Sequence, residues 1–212
     1  MRILITAGPT REAIDPVRFI SNRSSGKMGY ALARVAARRG HVVTLISGPV
    51  ALPPPPKVRF VAVMTADEML AAVKRYLFQC DALIMAAAVA DWQPRRVKAQ
   101  KIKKITGPRV LRLKPTPDIL KTLRSKKGRR IFIGFAAETE RMLAGARRKL
   151  AEKGLDLIVA NDVSRPDAGF EVDTNRVTLM EASGGMHTLP LMTKMKVAAR
   201  ILDWLEARMA QK

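Results

Sequence analysis

The stretch RFISNRSSGKMG, residues 18–29, holds the residue types best placed for chemistry in this sequence. It follows the apolar run 3–7 and precedes a helical pattern over about 30–39. A strand is therefore predicted to end at Gly8, with a polar loop after it and a Ser24-Ser25-Gly26 turn opening a helix. A helix start preceded by small residues presents backbone N–H groups that lack intrahelical partners, and these suit a phosphate or carboxylate. Arg18, Arg23 and Lys27 crowd the same loop. The residues alone thus predict anion binding at the first strand-to-helix crossing and leave the identity of the anion open.

Familiar phosphate loops do not fit. Met28 stands after Gly26-Lys27 where a P-loop needs Ser or Thr, and Ser21 occupies the place of its first glycine. The dinucleotide fingerprint fails because a long insertion separates Gly8 from Gly26 and Gly29, and no acid closes the second strand to hold a ribose. His41, His187 and Cys80 are too few and too scattered for a zinc site. Cys80 reads as a structural thiol.

The elements that must position this loop are strands and helices in alternation. Near-continuous apolar strands are predicted at 2–7, 41–47, 58–63, 82–88, 131–136 and 155–160, with helices between them. That pattern predicts an α/β fold: a Rossmann-like, doubly wound, mainly parallel sheet with helices on both faces. Thr65 and Glu68 have capping-box spacing before a helix to about Phe78. Thr116-Pro117-Asp118 supplies a cap, a proline at the first helical position and an acid in the first turn. Prolines 53–56 form an extended linker. The strand at 82–88 ends in three alanines, which leaves room for a flat ligand at its carboxyl end. Residues 97–114 alternate apolar and cationic side chains about Thr106-Gly107-Pro108, which predicts a protruding β-hairpin flap outside the sheet. Two short strands, 176–180 and 186–189, and a closing helix over 193–209 complete a single domain spanning 1–212.

With 212 residues and 48% hydrophobic content the chain can bury a sizeable core. No apolar run reaches the roughly 20 residues that span a bilayer. No secretory pattern opens the chain, and one cysteine cannot make an internal disulfide, so a cytoplasmic location is expected. The net charge of +21 suits either a nucleic-acid binder or a protein for small anions. Only 5% of residues are aromatic, which argues against a base-stacking platform, and no helix-turn-helix, zinc-finger or RNP signature is present. On the residues alone an NAD(P)-dependent oxidoreductase of the same fold and a basic nucleic-acid-binding protein stay open beside a small-anion enzyme.

The run TAGPTREAIDPVRFISNRSSGKMGYALA, with AAAVADWQP, KIKK, LKPTPDIL, GFAAET and ANDVS, resembles bacterial phosphopantothenoylcysteine synthetase over essentially the whole chain. In many bacteria such a domain is the carboxyl-terminal half of a bifunctional coenzyme A biosynthesis protein, whose flavin-dependent decarboxylase half has no counterpart here. The resemblance implies a ligase of coenzyme A biosynthesis using CTP and Mg2+. The carboxylate of 4′-phosphopantothenate would attack the α-phosphate of CTP, giving an acyl-cytidylate and pyrophosphate, and the amine of L-cysteine would then displace CMP. It further implies a homodimer in which the flap of one subunit completes its neighbour's pantothenate site, a possible decarboxylase partner domain, and no specific nucleic acid or membrane partner.

Carried over motif by motif, Asn22 would hydrogen-bond the acyl-cytidylate, with Arg18 supporting its loop. Ser24, Ser25, Gly26 and Lys27 would face phosphate. Met85, Ala86 and Ala87 would recognise cytosine through backbone groups, with Ala88 keeping the pocket small and Asp91 beside it. Lys101 would neutralise phosphate or the reacting carboxylate from the flap. Pro117, Asp118, Ile119, Leu120 and Phe135 would line the nucleotide pocket, and Lys149 and Lys153, one helical turn apart, would reach the triphosphate. Magnesium would ride on the triphosphate, with no protein ligand identified.

Overall fold

The computed structural model describes residues 1–104, 110–138, 142–162 and 171–211. In chain order the first half runs β1 (Arg2–Ala7), the small hairpin β2 (Arg11–Ala13) and β3 (Phe19–Ser21), α1 (Lys27–Arg38), β4 (Val42–Ser47), β5 (Val58–Ala62), α2 (Ala66–Leu77), β6 (Ala82–Met85) and β7 (Trp92–Pro94). Then come β8 (Leu113–Pro115), α3 (Ile119–Leu123) with a 3-10 turn (Arg124–Lys126), β9 (Ile131–Glu138), α4 (Met142–Glu152) and β10 (Leu157–Asp162). The chain closes with β11 (Thr174–Asn175), β12 (Val177–Glu181), β13 (Met186–Thr188), β14 (Met192–Thr193) and α5 (Lys194–Ala210).

Eight strands form the main sheet in the order β13-β12-β10-β9-β6-β1-β4-β5. The pairs from β5 to β10 are parallel, and β12 and β13 add antiparallel to the β10 edge. The alternation of side chains along β1 explains the layering. Ile3, Ile5 and Ala7 pack with α1 and α5 on one face, and Leu4 packs with α2, α3 and α4 on the other. Strands covered on both sides need apolar residues at every position, and β6 is buried throughout. The two wings reverse direction of progression between β1 and β6, the place where open parallel sheets leave a crevice at the strands' carboxyl ends.

Several local expectations shift. The loop after Gly8 folds partly into the β2/β3 hairpin, whose register pairs Arg11 with Ser21. Helix α1 starts at Lys27, three residues ahead of the apolar pattern. Asp118, not Thr116, caps α3 by accepting from the Lys121 N–H, while Thr116 donates its hydroxyl to the Ala90 carbonyl at 2.5 Å. Thr65 caps α2 as predicted, and Glu68 reaches back to the Met64 N–H at 2.7 Å. The hairpin expected over 97–114 is displaced. Antiparallel pairing joins Trp92–Pro94 to Leu113–Pro115, and the Arg95 N–H donates to the Arg112 carbonyl, whereas 97–104 forms no strand. The turn at 106–108 lies outside the described residues, as do Thr139 and Glu140.

Glycines tighten the crevice. A Cβ on Gly48 would lie 1.8 Å from the Pro9 carbonyl oxygen, so the end of β4 and the chain leaving β1 touch backbone to backbone. Gly48→Ala is expected to destabilise the fold by about 3 kcal/mol, because backbone on both sides must move apart. A urea titration would read this as a lowered midpoint, and an unchanged midpoint would contradict the close approach.

Candidate active site

A cavity of about 360 Å³ opens at the carboxyl ends of β1 and β6. This is within the range of small-molecule sites. Five segments meet there: Asn22, Ser24 and Gly26 to Gly29 from the loop and start of α1; Met85 to Asp91 after β6; Thr116 to Leu120 ahead of α3; Phe135 and Ala136 of β9; and Lys149 and Lys153. Asn161, Asn175 and Lys194 complete the wall.

Gly26 caps α1 with φ 75°, a left-handed conformation that costs glycine little, and a Cβ there would lie 2.7 Å from a Val50 methyl. Gly29 lets α1 press onto β1, since its Cβ would come within 2.5 Å of the Ala7 side chain. No acid stands in the first turn of α1, so the positive end of the helix faces the cavity unneutralised by its own residues.

Residues 86–91 leave the main sheet, keeping one parallel bridge from Ala88 to Pro9, and side chains and backbone from elsewhere satisfy them. The Ala87 N–H donates to Thr6 Oγ1, the Ala90 N–H to Thr10 Oγ1, and the Ala88 N–H to the Gly8 carbonyl. Asn22 Nδ2 donates to the Ala88 and Val89 carbonyls at 3.1 and 3.0 Å. Both hydrogens of that amide are therefore engaged by the alanine segment, and the atom left to meet a ligand is Oδ1. The Ala87 N–H is likewise already engaged, by Thr6 Oγ1.

The cations divide into two poles. Lys153 pairs with Asp118 at 3.2 Å, and Lys149 lines the cavity one turn earlier. At the other pole Lys27 pairs with Asp173 at 2.7 Å and donates to the Glu171 carbonyl at 3.0 Å. Lys27 holds the Asp173 carboxyl below its usual range. Lys194 is only 5% exposed and donates to the Val172 carbonyl. Burial, and then the charge of Lys27, push the Lys194 ammonium down to about 8.

Three predicted site residues stand outside this cavity. Ser25 does not line it. Arg18 is clamped to Asp15 by two hydrogen bonds, Nη2 at 2.5 Å and Nε at 3.0 Å, both to Oδ2, and donates to the Ile102 carbonyl at 2.8 Å. Lys101 is exposed beside that clamp. Asp15 also accepts from the Ile102 N–H at 3.1 Å, so an almost wholly buried carboxylate ties the segment after Lys101 to the Arg18 loop.

Sequence reasoning missed Met28, Gly29, Val89, Ala90, Thr116, Ala136, Asn161, Asn175 and Lys194. Among the described residues, the buried Oδ1 atoms of Asn161 and Asn175 have no hydrogen-bond partner. Buried acceptors of this kind call for a donor-bearing occupant. Asn161 is the penultimate residue of β10, at the strand's carboxyl end, a position that could have flagged it; nothing in the sequence singles out Asn175.

A doubly wound sheet with a cation-lined crevice at its reversal point defines a nucleotide-fold protein of the anion-binding kind. The chain belongs to the DNA/pantothenate metabolism flavoprotein C-terminal domain family, whose family model matches residues 1–209. It is 51% identical over 206 residues to the coenzyme A biosynthesis bifunctional protein CoaBC of Bacillus subtilis, covering 97% of this chain and 51% of that protein. The counterpart in Escherichia coli K12 is 48% identical over 216 residues, covering 100% and 53%. The chain thus spans about half the length of these curated relatives. The crystal structure of the C-terminal domain of a CoaBC protein matches with a TM-score of 0.86 at 46% identity, covering 100% of this chain and 96% of that one.

The Asp15 clamp makes a testable prediction. Its carboxyl titrates far below the ordinary carboxylate range, first because of the Arg18 guanidinium and then because of the Ile102, Val17 and Arg18 backbone N–H groups, which outweigh the opposing effect of burial. The unfolded chain binds this proton more readily, so the contribution to stability is full above the unfolded value near 4 and falls as pH drops below it. Asp15→Asn should lower the urea midpoint at pH 7 and flatten its fall between about pH 5 and pH 2. A variant whose acid-side fall matches that of the parent would remove Asp15 from this role.

Proposed function

We propose that this chain is a phosphopantothenate–cysteine ligase of coenzyme A biosynthesis. The observation that carries the reading is the cavity itself. The Asn22 loop, the start of α1, the alanine segment after β6, the turn ahead of α3, Phe135 and the Lys149–Lys153 pair are far apart in sequence yet border one crevice. Membership of the family and the similarity to CoaBC proteins support the same activity.

In this reading the carboxylate of 4′-phosphopantothenate attacks the α-phosphate of CTP and pyrophosphate leaves. The cysteine amine then attacks the acyl carbon and CMP leaves. Attack of one anion on another needs charge neutralisation and alignment more than a strong base. The wall supplies cations at two poles, Lys149 with Lys153 and Lys27 with Lys194, and no histidine is among the described residues that line it. The small side chains of 86–88 let the base approach the backbone. Asn22 holds that segment by its Nδ2, which leaves Oδ1 to accept from an O–H or N–H group of the acyl-cytidylate.

Magnesium would supply further neutralisation of the triphosphate. Among the described residues no group of three acidic, histidine or cysteine side chains gathers as a metal cage. Asp91 and Asp118 are the carboxylates that the described wall offers, which suits an ion carried in by the nucleotide. Lys101 and the Asp15–Arg18 clamp stand outside the single-chain cavity, and we assign them to the site of a neighbouring subunit in a homodimer. The exposed Val97, Val110, Leu111 and Leu113 would be covered by that second copy. A flavin-dependent decarboxylase, fused or separate, would take up the product. No described helix is long and apolar enough to cross a membrane, and we place the protein in the cytoplasm.

A coupled pyrophosphate assay tests the reading. With 4′-phosphopantothenate and Mg2+, CTP should release pyrophosphate far faster than ATP, and CMP release should require cysteine. Absence of CTP turnover would overturn the proposal. Asn22→Asp should slow the reaction about a hundredfold, since it sets a carboxylate against two carbonyls and an anionic intermediate. Unchanged turnover would remove Asn22 from the mechanism.

A further inference from the structure

Lysine is an unfavourable opening residue for a helix, because the helix start is already positive. Two helices here open that way over the same cavity. Lys27 is the first residue of α1 and Lys194 the first of α5; neither helix has an acid in its first turn, and both lysines line the wall. The segment 171–173 gathers them. Lys27 donates to the Glu171 carbonyl and pairs with the Asp173 carboxylate, and the Lys194 ammonium donates to the Val172 carbonyl while its backbone N–H donates to the Asp173 carbonyl at 2.9 Å. The Asp173 carboxylate, itself largely exposed, thus stands near both ammonium groups and both positive helix ends.

Surface lysines escape such crowding by turning into water, but Lys194 is buried. Its ammonium is easier to deprotonate than a surface lysine, first through burial and then through Lys27. An anion with more than one charge, placed between the two helix starts, would relieve all of this at once.

We propose that Lys194 is a phosphate-binding residue of the reaction, which together with Lys27 grips the β- and γ-phosphates of the nucleotide and holds pyrophosphate as it leaves. The inference rests on the ligase reading for the identity of the phosphates. In the first step the bond between the α-phosphorus and the bridging oxygen to the β-phosphate breaks, its electron pair departs with pyrophosphate, and the substrate carboxylate oxygen takes the vacated place on phosphorus. Negative charge therefore grows on the group that Lys194 faces, and a buried cation strengthens its hold as the bond breaks. The phosphate of 4′-phosphopantothenate has the same chemistry, so the test must separate the two sources.

Steady-state kinetics on Lys194→Met and Lys194→Arg provide that separation. Lys194→Met should raise KM for CTP and weaken product inhibition by pyrophosphate, each by about tenfold or more, as for loss of a charge-assisted hydrogen bond. KM for 4′-phosphopantothenate and for cysteine should stay within about twofold. Lys194→Arg should recover most of the pyrophosphate affinity, which a purely structural lysine would not do through inhibition alone.

Calorimetric titration of inorganic pyrophosphate into the unmodified protein at about pH 8.5 gives a readout independent of activity and of variant folding. A bound anion raises the Lys194 value, so protons should be taken up on binding, and Lys194→Arg should abolish the uptake. Unchanged CTP and pyrophosphate parameters in a folded Lys194→Met protein, or an effect confined to 4′-phosphopantothenate, would overturn the proposal. So would pyrophosphate binding without proton uptake. Failure of the unmodified protein to turn over CTP would instead sink the ligase reading, and pyrophosphate calorimetry would still decide the role of Lys194.

Discussion

Everything at the crevice depends on satisfying the backbone that leaves β6. Residues 86–91 abandon the sheet while still partly buried, and buried peptide groups without partners are costly enough to be rare. The partners come from β1 and the chain that follows it: Thr6, Gly8, Thr10 and Asn22 all bond to this segment, and Thr116 closes it from the other side. Parallel pairing between β1 and β6 brings the two chain ends together, with Thr6 opposite Met85. The long excursion between β1 and α1 is thus the scaffold on which the alanine segment hangs. A short, glycine-rich turn could cradle phosphate, but it could not carry Thr10 and Asn22 to that backbone.

Electrostatics follow a second economy. Acids are scarce beside 39 Lys and Arg residues, and three of the 18 are spent on cations at or near the site. Asp15 holds Arg18, Asp118 holds Lys153 and Asp173 holds Lys27. Exposed ion pairs contribute about 0–1 kcal/mol at best, so these pairs matter chiefly for where they aim a charge. Asp15 differs because it is buried and reaches the Ile102 backbone as well, so it joins two loops in addition to orienting one side chain. Cys80 and His41 remain part of the frame. Burial pushes the Cys80 thiol up to about 11, and His41 meets Glu206 at 2.7 Å, about three turns along α5 from the Lys194 start that lines the cavity.

Much of the fold was legible because apolar strands and capped helices leave periodic marks. The parallel strands, the Thr65 cap and the closing helix fall within a few residues of their predicted bounds. The misplacements share one cause, competition for hydrogen-bond partners that are distant in sequence. Thr116 has every local feature of a helix cap, yet Ala90 takes its hydroxyl and the adjacent Asp118 caps α3 instead. The alternating 97–104 segment forms no strand, and its Lys98 and Ile102 N–H groups bond to Ile14 and Asp15 across the molecule.

The sequence by itself determined the architecture and the family, because burial on both faces of a parallel sheet forces long apolar runs and because the motifs at the strand ends are specific. The resemblance, and not the spacing, pointed to Lys149 and Lys153, which by spacing alone are two lysines sharing a helix face, and both line the cavity. Only the tertiary structure decided that Asn22 spends its amide on the alanine segment, that Arg18 and Lys101 stand outside the single-chain cavity, and that Lys194 stands inside it. The reason is physical: α1 and α5 begin far apart in the chain, and only packing on the same sheet face brings their starts together. A lysine at a helix start carries no sign of its neighbours until the fold has placed another cation beside it.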